Sequence, residues 1–135
     1  MKAINVKTKG FTDIVDITSL IQKELEKEKI ENGLVHLFVI GSTVSLTTIE
    51  DDENLFVDFK DVLEKITPYK RNWQHHKTWG DDNGAAHLRA SLFGPSLTIP
   101  VINGKLFLGT WQRIVLLDFD TRPREREIIV SFIKN

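Results

Sequence analysis

Residues 97–119 read LTIPVINGKLFLGTWQRIVLLDF, and this stretch decides the fold class. Its apolar residues form three runs, which are separated by Asn103-Gly104 and by Gly109-Thr110-Trp111-Gln112. An Asn-Gly pair between two apolar runs is typical of a β-hairpin turn. The stretch therefore predicts strands at 97–102, 105–108 and 113–119.

Further runs typical of β-strands lie on both sides of this stretch. Residues 3–9 alternate apolar and polar side chains and end at Gly10, as an edge strand would. Residues 34–40 are nearly all apolar, which is typical of a strand covered on both faces. His36 interrupts this run, and we expect a core residue bonded to a neighbour, with a ligand role as the alternative. The other predicted strands are residues 11–17, the second half of 42–50, and 127–133.

Three segments are predicted to be helical. The first begins at Thr18, the second spans residues 54–66 and the third spans residues 85–93. Residues 69–83 have no sustained period and are predicted to form a long ordered loop. Loops of this kind often carry functional side chains.

The composition is that of one ordinary globular domain. The chain has 135 residues, 41% hydrophobic and 27% charged, so we expect a single domain over residues 1–135. A formal net charge of −1 argues against nucleic acid and against a membrane surface as partners. There is no cysteine for a disulfide or a thiolate metal site. The amino terminus has no signal-like apolar run, and we expect a cytoplasmic protein.

The clearest group of chemistry-bearing residues lies between positions 75 and 87. Its members are His75, His76, Asp81, Asp82, Asn83 and His87. Imidazoles and carboxylates that lie close together can bind a divalent cation or exchange protons. We expect His87 in the first turn of the third helix, where N–H groups favour an anion, with Leu88 and Leu92 turned to the core. The alternative is that these histidines only cap and brace a polar loop.

A second candidate is the hydroxyl-rich segment 41–50. Its candidate ligand contacts are Ser42, Thr43 and Thr48, and it ends at Glu50. N–H and O–H donors of such a loop can surround phosphate oxygens, and Glu50 could serve as a general base or a metal ligand. The segment lacks the glycine spacing and the lysine of a P-loop, and a solvated turn and strand are the alternative.

Two further segments carry polar groups near predicted strands. Residues 109–112 combine a glycine, a hydroxyl, a large aromatic ring and an amide, which suits a pocket wall or else a packed turn. Arg122, Arg124 and Arg126 precede the last strand and could bind a phosphate or pyrophosphate bidentately. Their alternative role is a solvated, ion-paired edge.

The ordered set of motifs resembles the YjbQ-like family, also called the secondary thiamine-phosphate synthase family. Residues 96–114 resemble its signature segment, in which a glycine is followed, after four residues, by Gly-Thr-Trp-Gln. Residues 33–38 and 46–50 resemble its Gly-aliphatic-x-His-aliphatic-Phe and Leu-Thr-x-x-Glu elements. Its His, Asp-Asp, His-x-x-x-Ser-Leu segment is matched by His76, Asp81, Asp82, His87, Ser91 and Leu92. The resemblance covers essentially the whole chain.

This resemblance implies an α+β fold with a sandwich-like, largely antiparallel β-sheet and about three helices, commonly assembled as a homotrimer. It also implies a thiamine-phosphate synthase-type transferase, which joins a pyrimidine diphosphate to a thiazole phosphate and releases pyrophosphate. The candidate catalytic residues are then Glu50, His76, His87 and Gln112. The candidate substrate contacts are Ser42, Thr43, Thr48, Asn83, Thr110, Trp111, Arg122 and Arg124. The alternative function is a non-catalytic trimer that binds a metal or a small phosphorylated ligand.

The chain departs from the family pattern at two glycines. Other members often have an additional histidine at the position of Gly41 or of Gly80. The candidate ligands for a divalent metal, Mg or Zn, are then His76, His87 and Asp82. Because this chain lacks that additional imidazole, we expect any metal to be weakly held.

Overall fold

The computed structural model describes residues 1–135. It contains eight strands and four helices. In chain order they are β1 (Lys2–Thr8), β2 (Asp13–Asp16), α1 (Thr18–Glu28), β3 (Gly33–Val39), β4 (Val44–Glu50), α2 (Glu53–Ile66), α3 (His76–Trp79), α4 (Gly84–Phe93), β5 (Ser96–Ile102), β6 (Lys105–Leu106), β7 (Gln112–Asp118) and β8 (Arg124–Lys134).

The strands form two sheets in which every pairing is antiparallel. The five-stranded sheet has the order β1-β8-β3-β5-β6, and the three-stranded sheet has the order β2-β7-β4. Leu37 in the middle of β3 lies opposite Leu97 of β5 and Val130 of β8. The predicted α+β fold with a sandwich-like, largely antiparallel sheet is confirmed, and β1 is at a sheet edge as predicted.

The main core combines side chains from both sheets and from α1. Val35 of β3, Leu46 of β4 and Leu25 of α1 are completely buried in it. Alternate residues of β7 point in opposite directions, because the side-chain period of a strand is two. Ile114 and Leu116 therefore enter the main core.

A second, smaller core lies on the other side of β7. Val115 and Leu117 pack there with Leu63 of α2 and with two alanines of α4, Ala86 and Ala90. The strand covered on both faces is therefore β7. The prediction that β3 is covered on both faces is wrong within the single chain, where Leu34 and Phe38 point to solvent. His36 also lies on this open face and is bonded to Thr98 Oγ1 at 3.0 Å, so it is not a core residue.

The predicted loop 69–83 contains one additional short helix, α3. It is a single turn closed by the Gly80 N–H, which donates to the carbonyl of His76 at 3.0 Å. Gly80 has a φ of 69°, and this left-handed conformation ends the turn. The chain therefore has four helices instead of the expected three. None of them is long and apolar enough to cross a bilayer.

The orientation of α4 also differs from the prediction. Leu88 and Leu92, expected in the core, are 41% and 58% exposed. The buried side carries small alanines, so α4 approaches β4 closely enough for Ser45 Oγ to donate to the carbonyl of Ala90 at 2.6 Å. Arg89 is also buried on this side.

Hydrogen bonds to the guanidinium explain why Arg89 tolerates burial. Its Nε and Nη2 donate to the carbonyl of Thr67 at 3.0 and 2.8 Å, and its Nη1 donates to Thr12 Oγ1 at 2.9 Å. Nη2 also pairs with Glu64 at 2.7 Å, and the guanidinium lies 4.0 Å from the centre of the Tyr69 ring. A buried arginine with its donors satisfied stabilises the packing of α4.

Candidate functional site

The predicted site residues fall into two groups at opposite ends of the β4–β7 ladder. Val44 pairs with Asp118 at one end, and Glu50 pairs with Gln112 at the other. At roughly 3.4 Å per residue, these ends are about 20 Å apart. The histidines lie near the first end, so the predicted catalytic set is not assembled within one chain.

A cavity of about 390 Å³ at the first end gathers five of the predicted site residues. We call it the cleft. It is lined by the loop after β3, by the 75–87 segment, by the turn after β7 and by β8. The lining residues are Gly41, Ser42, Thr43, His75, Trp79, Asp81, Asn83, His87, Asp120, Arg124 and Arg126. Of the predicted residues, Ser42, Thr43, Asn83, His87 and Arg124 are therefore brought together.

The imidazoles of the cleft are His75 and His87. Their ring centroids are 4.7 Å apart, and His75 Nδ1 lies 3.6 Å from Asp81 Oδ1. His76, which the sequence favoured, is not among the lining residues; its Nε2 lies 3.1 Å from Asp82 Oδ1. The one-turn helix α3 begins between the two neighbouring histidines and directs them to different partners.

The donor set does not fit a three-ligand metal centre within this chain. His76 is adjacent to Asp82, but His87 lies beside His75. No three His, Cys, Asp or Glu side chains form a group suited to holding an ion. The three proposed ligands, His76, His87 and Asp82, are thus divided between two pairs.

Beneath the cleft lies a buried ion pair between Arg126 and Asp118. Arg126 Nε and Nη2 donate to the two carboxylate oxygens of Asp118 at 2.7 and 2.9 Å. Nη2 also donates to Thr43 Oγ1 at 2.7 Å. Asp118 is completely buried, and the bidentate geometry is the strong form of an arginine–carboxylate contact. The pair joins β8 to the end of β7, and the Thr43 bond connects both to the residue before β4.

Asp120 links the second guanidinium to the same network. Arg124 Nε and Nη2 lie 2.8 and 2.7 Å from Asp120 Oδ2, and the Thr121 N–H donates to Oδ1 at 2.8 Å. Burial alone raises the pKa of the Asp120 carboxyl, but the Thr121 and Arg124 hydrogen bonds outweigh it and hold the pKa below 3.8. Asp120 is therefore ionised at neutral pH. Its partner Arg124 stays about one-third exposed, toward the cleft.

Sequence reasoning missed Asp118 and Asp120, although a signal for Asp118 exists. Asp118 follows Ile114 and Leu116 in the alternation that points into the main core, so it is a charge at an inward position. On β8, Arg126 precedes Ile128 and Val130 in the same alternation. Opposite charges at inward positions of two strands indicate a buried pair.

The second group of predicted residues braces the turn before β7. Gln112 Oε1 accepts from the Gly109 N–H at 3.0 Å, and its Nε2 donates to Thr48 Oγ1 at 3.1 Å. Glu50 and Trp111 are exposed nearby. Thr110 lines a separate hollow of about 480 Å³ beside α1.

One predicted arginine stands apart from both groups. Arg122 is exposed and is not among the residues lining the cleft. Of the three arginines near the last strand, only Arg124 and Arg126 reach it.

Comparison with known proteins relates the chain to others of unestablished function. The family described as UPF0047 protein YjbQ-like matches residues 2–135. A UPF0047 protein of Archaeoglobus fulgidus is 39% identical over 128 residues, covering 95% of this chain and 97% of that protein. UPF0047 protein YugU of Bacillus subtilis is 28% identical over 134 residues, covering 98% of each.

Solved structures share the same fold. A YbjQ-like protein of unknown function from Sulfolobus solfataricus superposes with a TM-score of 0.91 at 35% identity, covering 99% of this chain and 96% of that one. An uncharacterised YjbQ/UPF0047 family protein from Clostridium acetobutylicum gives a TM-score of 0.89 at 32% identity, covering 98% and 100%. The family match over almost the whole chain agrees with the fold and with the signature segment at residues 96–114. The chain therefore belongs to the UPF0047 family of YjbQ-like proteins.

Proposed function

We propose that the cleft binds the phosphoryl group of a small molecule. The observation that carries this proposal is that Arg124, anchored to a buried carboxylate and partly exposed, lines one cavity with the imidazoles of His75 and His87. Arginine is the side chain best suited to phosphate oxygens, because its planar fork presents several donors. A volume of about 390 Å³ suits a small ligand.

The hydrogen-bond donors of the cleft support a ligand with acceptor oxygens. Arg124 and Arg126 are each paired with one aspartate, so their four formal charges cancel, and Asp81 adds a negative charge to the lining. The imidazole nitrogens of His75 and His87 supply further hydrogen-bonding positions in the cleft. The Ser42 hydroxyl at the rim is a further donor.

The thiamine-phosphate synthase-type reaction is a finer proposal for the same site. The guanidinium N–H groups of Arg124 and Arg126 can donate hydrogen bonds to the oxygens of a leaving pyrophosphate, which supports it. Glu50 and Gln112 lie at the far end of the ladder and would not act with His87 in one chain. An assay for pyrophosphate release from the two thiamine precursors tests the reaction. Phosphate binding without any release would favour the non-catalytic alternative, a binding protein.

Calorimetric titration with inorganic phosphate tests the binding proposal. We expect the wild type to bind and His87→Ala to bind about 10- to 100-fold more weakly, because it loses a charge-assisted hydrogen bond. His36→Ala is the matched control, since His36 lies on the open face of the other sheet. It should bind like the wild type. Equal affinity of His87→Ala and the wild type would contradict the proposal.

A further inference from the structure

One nitrogen of the buried Arg126 guanidinium has no partner. Arg126 is more than nine-tenths buried. Its Nε and Nη2 are held by Asp118 and Thr43, whereas Nη1 makes no hydrogen bond within the protein. Nη1 is not one of the fully buried polar atoms that lack a partner, so solvent reaches it. It is therefore free to donate to an acceptor that enters the cleft.

Gly41 is the residue next to this free nitrogen. A Cβ at position 41 would lie 2.8 Å from Arg126 Nη1 and 2.9 Å from Val44 Cγ1. Both Gly41 and Arg126 line the cleft. Any side chain at position 41 would therefore crowd or cover Nη1, whereas glycine leaves it uncovered. Gly41 also has a φ of 138°, which disfavours any other residue.

We infer that Arg126 Nη1 is the innermost phosphoryl-binding atom of the cleft and that Gly41 is the residue that determines access to it. This inference rests on the proposed function and deepens it. The Asp118 carboxylate holds the guanidinium in one orientation, so the free nitrogen needs no reorganisation to bind. Arg124 and His87 contact the same phosphoryl group nearer the rim.

The recessed position of this nitrogen defines the class of ligand. Because Arg126 is more than nine-tenths buried, we expect an oxygen that reaches Nη1 to belong to the end group of a ligand. Inorganic phosphate and phosphomonoesters present such terminal oxygens. The organic part of a monoester would point outward, past His87 and the rim.

Two variants test the inference by calorimetry with inorganic phosphate and methyl phosphate as probes. Gly41→Ala places a methyl group against Nη1. Arg126→Lys keeps a cation for Asp118 but removes the forked nitrogen, and it avoids leaving the carboxylate unpaired. Each should weaken binding of both probes about 10- to 100-fold. Thermal melts of the same samples show whether each variant is folded.

Gly104→Ala is the control for backbone strain. Gly104 also has a positive φ, of 73°, but a Cβ there would make only ordinary contacts, and it lies in the β5–β6 turn, which is not part of the cleft. It should bind both probes like the wild type. If folded Gly41→Ala and Arg126→Lys bind both probes like the wild type while His87→Ala does not, this inference is wrong and the proposed function stands. If the wild type binds neither probe, both are wrong.

Discussion

At the scale of single residues, Asp120 joins the turn after β7 to both walls of the cleft. It accepts from Arg124 of β8 at 2.8 Å, from Thr43 of the 41–43 loop at 3.2 Å, and from Asn83 before α4 at 3.5 Å. Three segments distant in sequence thus meet at one carboxylate. Loss of its charge should loosen the cleft as well as the fold.

The lowered pKa of Asp120 gives a pH-dependent prediction. Because its folded pKa lies below the unfolded value of 3.8, the ionised form stabilises the folded protein; this contribution is complete above pH 3.8 and is lost as the pH falls through the folded pKa. Urea unfolding of wild type and Asp120→Asn should therefore show the wild type more stable at neutral pH, with the difference shrinking below pH 3.8. A difference that stays constant down to acid unfolding would contradict this role of Asp120.

At the scale of elements, the face that α4 buries leads to a prediction about two leucines. Leu92 is 58% exposed, so Leu92→Ala should change the free energy of unfolding by no more than about 0.5 kcal/mol. Leu46 of β4 is completely buried, so Leu46→Ala should cost roughly 2–5 kcal/mol. Chemical denaturation of both variants measures the two values. Equal losses would show that α4 packs through its leucine side.

The elements themselves were largely predictable from hydrophobic period. The strand at 113–119 and the helix at 54–66 differ from β7 and α2 by one residue at most at either end. The buried face of α4 was not predictable, because Arg89 becomes a core residue only through partners at Thr12, Thr67 and Glu64. The hydrophobic period alone predicts that Leu88 and Leu92 form the buried face of α4.

The candidate site was predictable only in part. His87, Asn83 and Arg124 were identified from residue type and order, and all three line the cleft. The choice between His75 and His76 depends on where α3 begins within a segment without period. The separation of Glu50 from the histidines depends on tertiary structure: β4 starts beside the cleft and carries Glu50 to the far end of the β4–β7 ladder.

At the scale of the whole molecule, one face of the five-stranded sheet is apolar and open. Leu34 of β3 lies opposite Ile133 of β8, and both are exposed, as is Phe38. The sequence of β3 is typical of a strand covered on both faces, and only one face is covered within the chain. Contacts between subunits would cover the other face.

The expected homotrimer is therefore our prediction for the assembly. Light scattering should give a mass three times that of the 15.5 kDa chain at micromolar concentrations. Phe38→Glu places a charge on the open face and should lower this mass if that face is the contact. A monomer mass for the wild type across that range would contradict the prediction.

Phosphoryl binding between His75, His87 and the arginines can be followed at each site by NMR of the four imidazoles during a phosphate titration. The histidines are distributed so that they report on location: His75 and His87 line the cleft, His76 points to Asp82, and His36 lies on the open sheet face. At constant pH, we predict saturable shifts of the His75 and His87 resonances and none at His36. Shifts at no histidine, or equal shifts at His36, would contradict the claim.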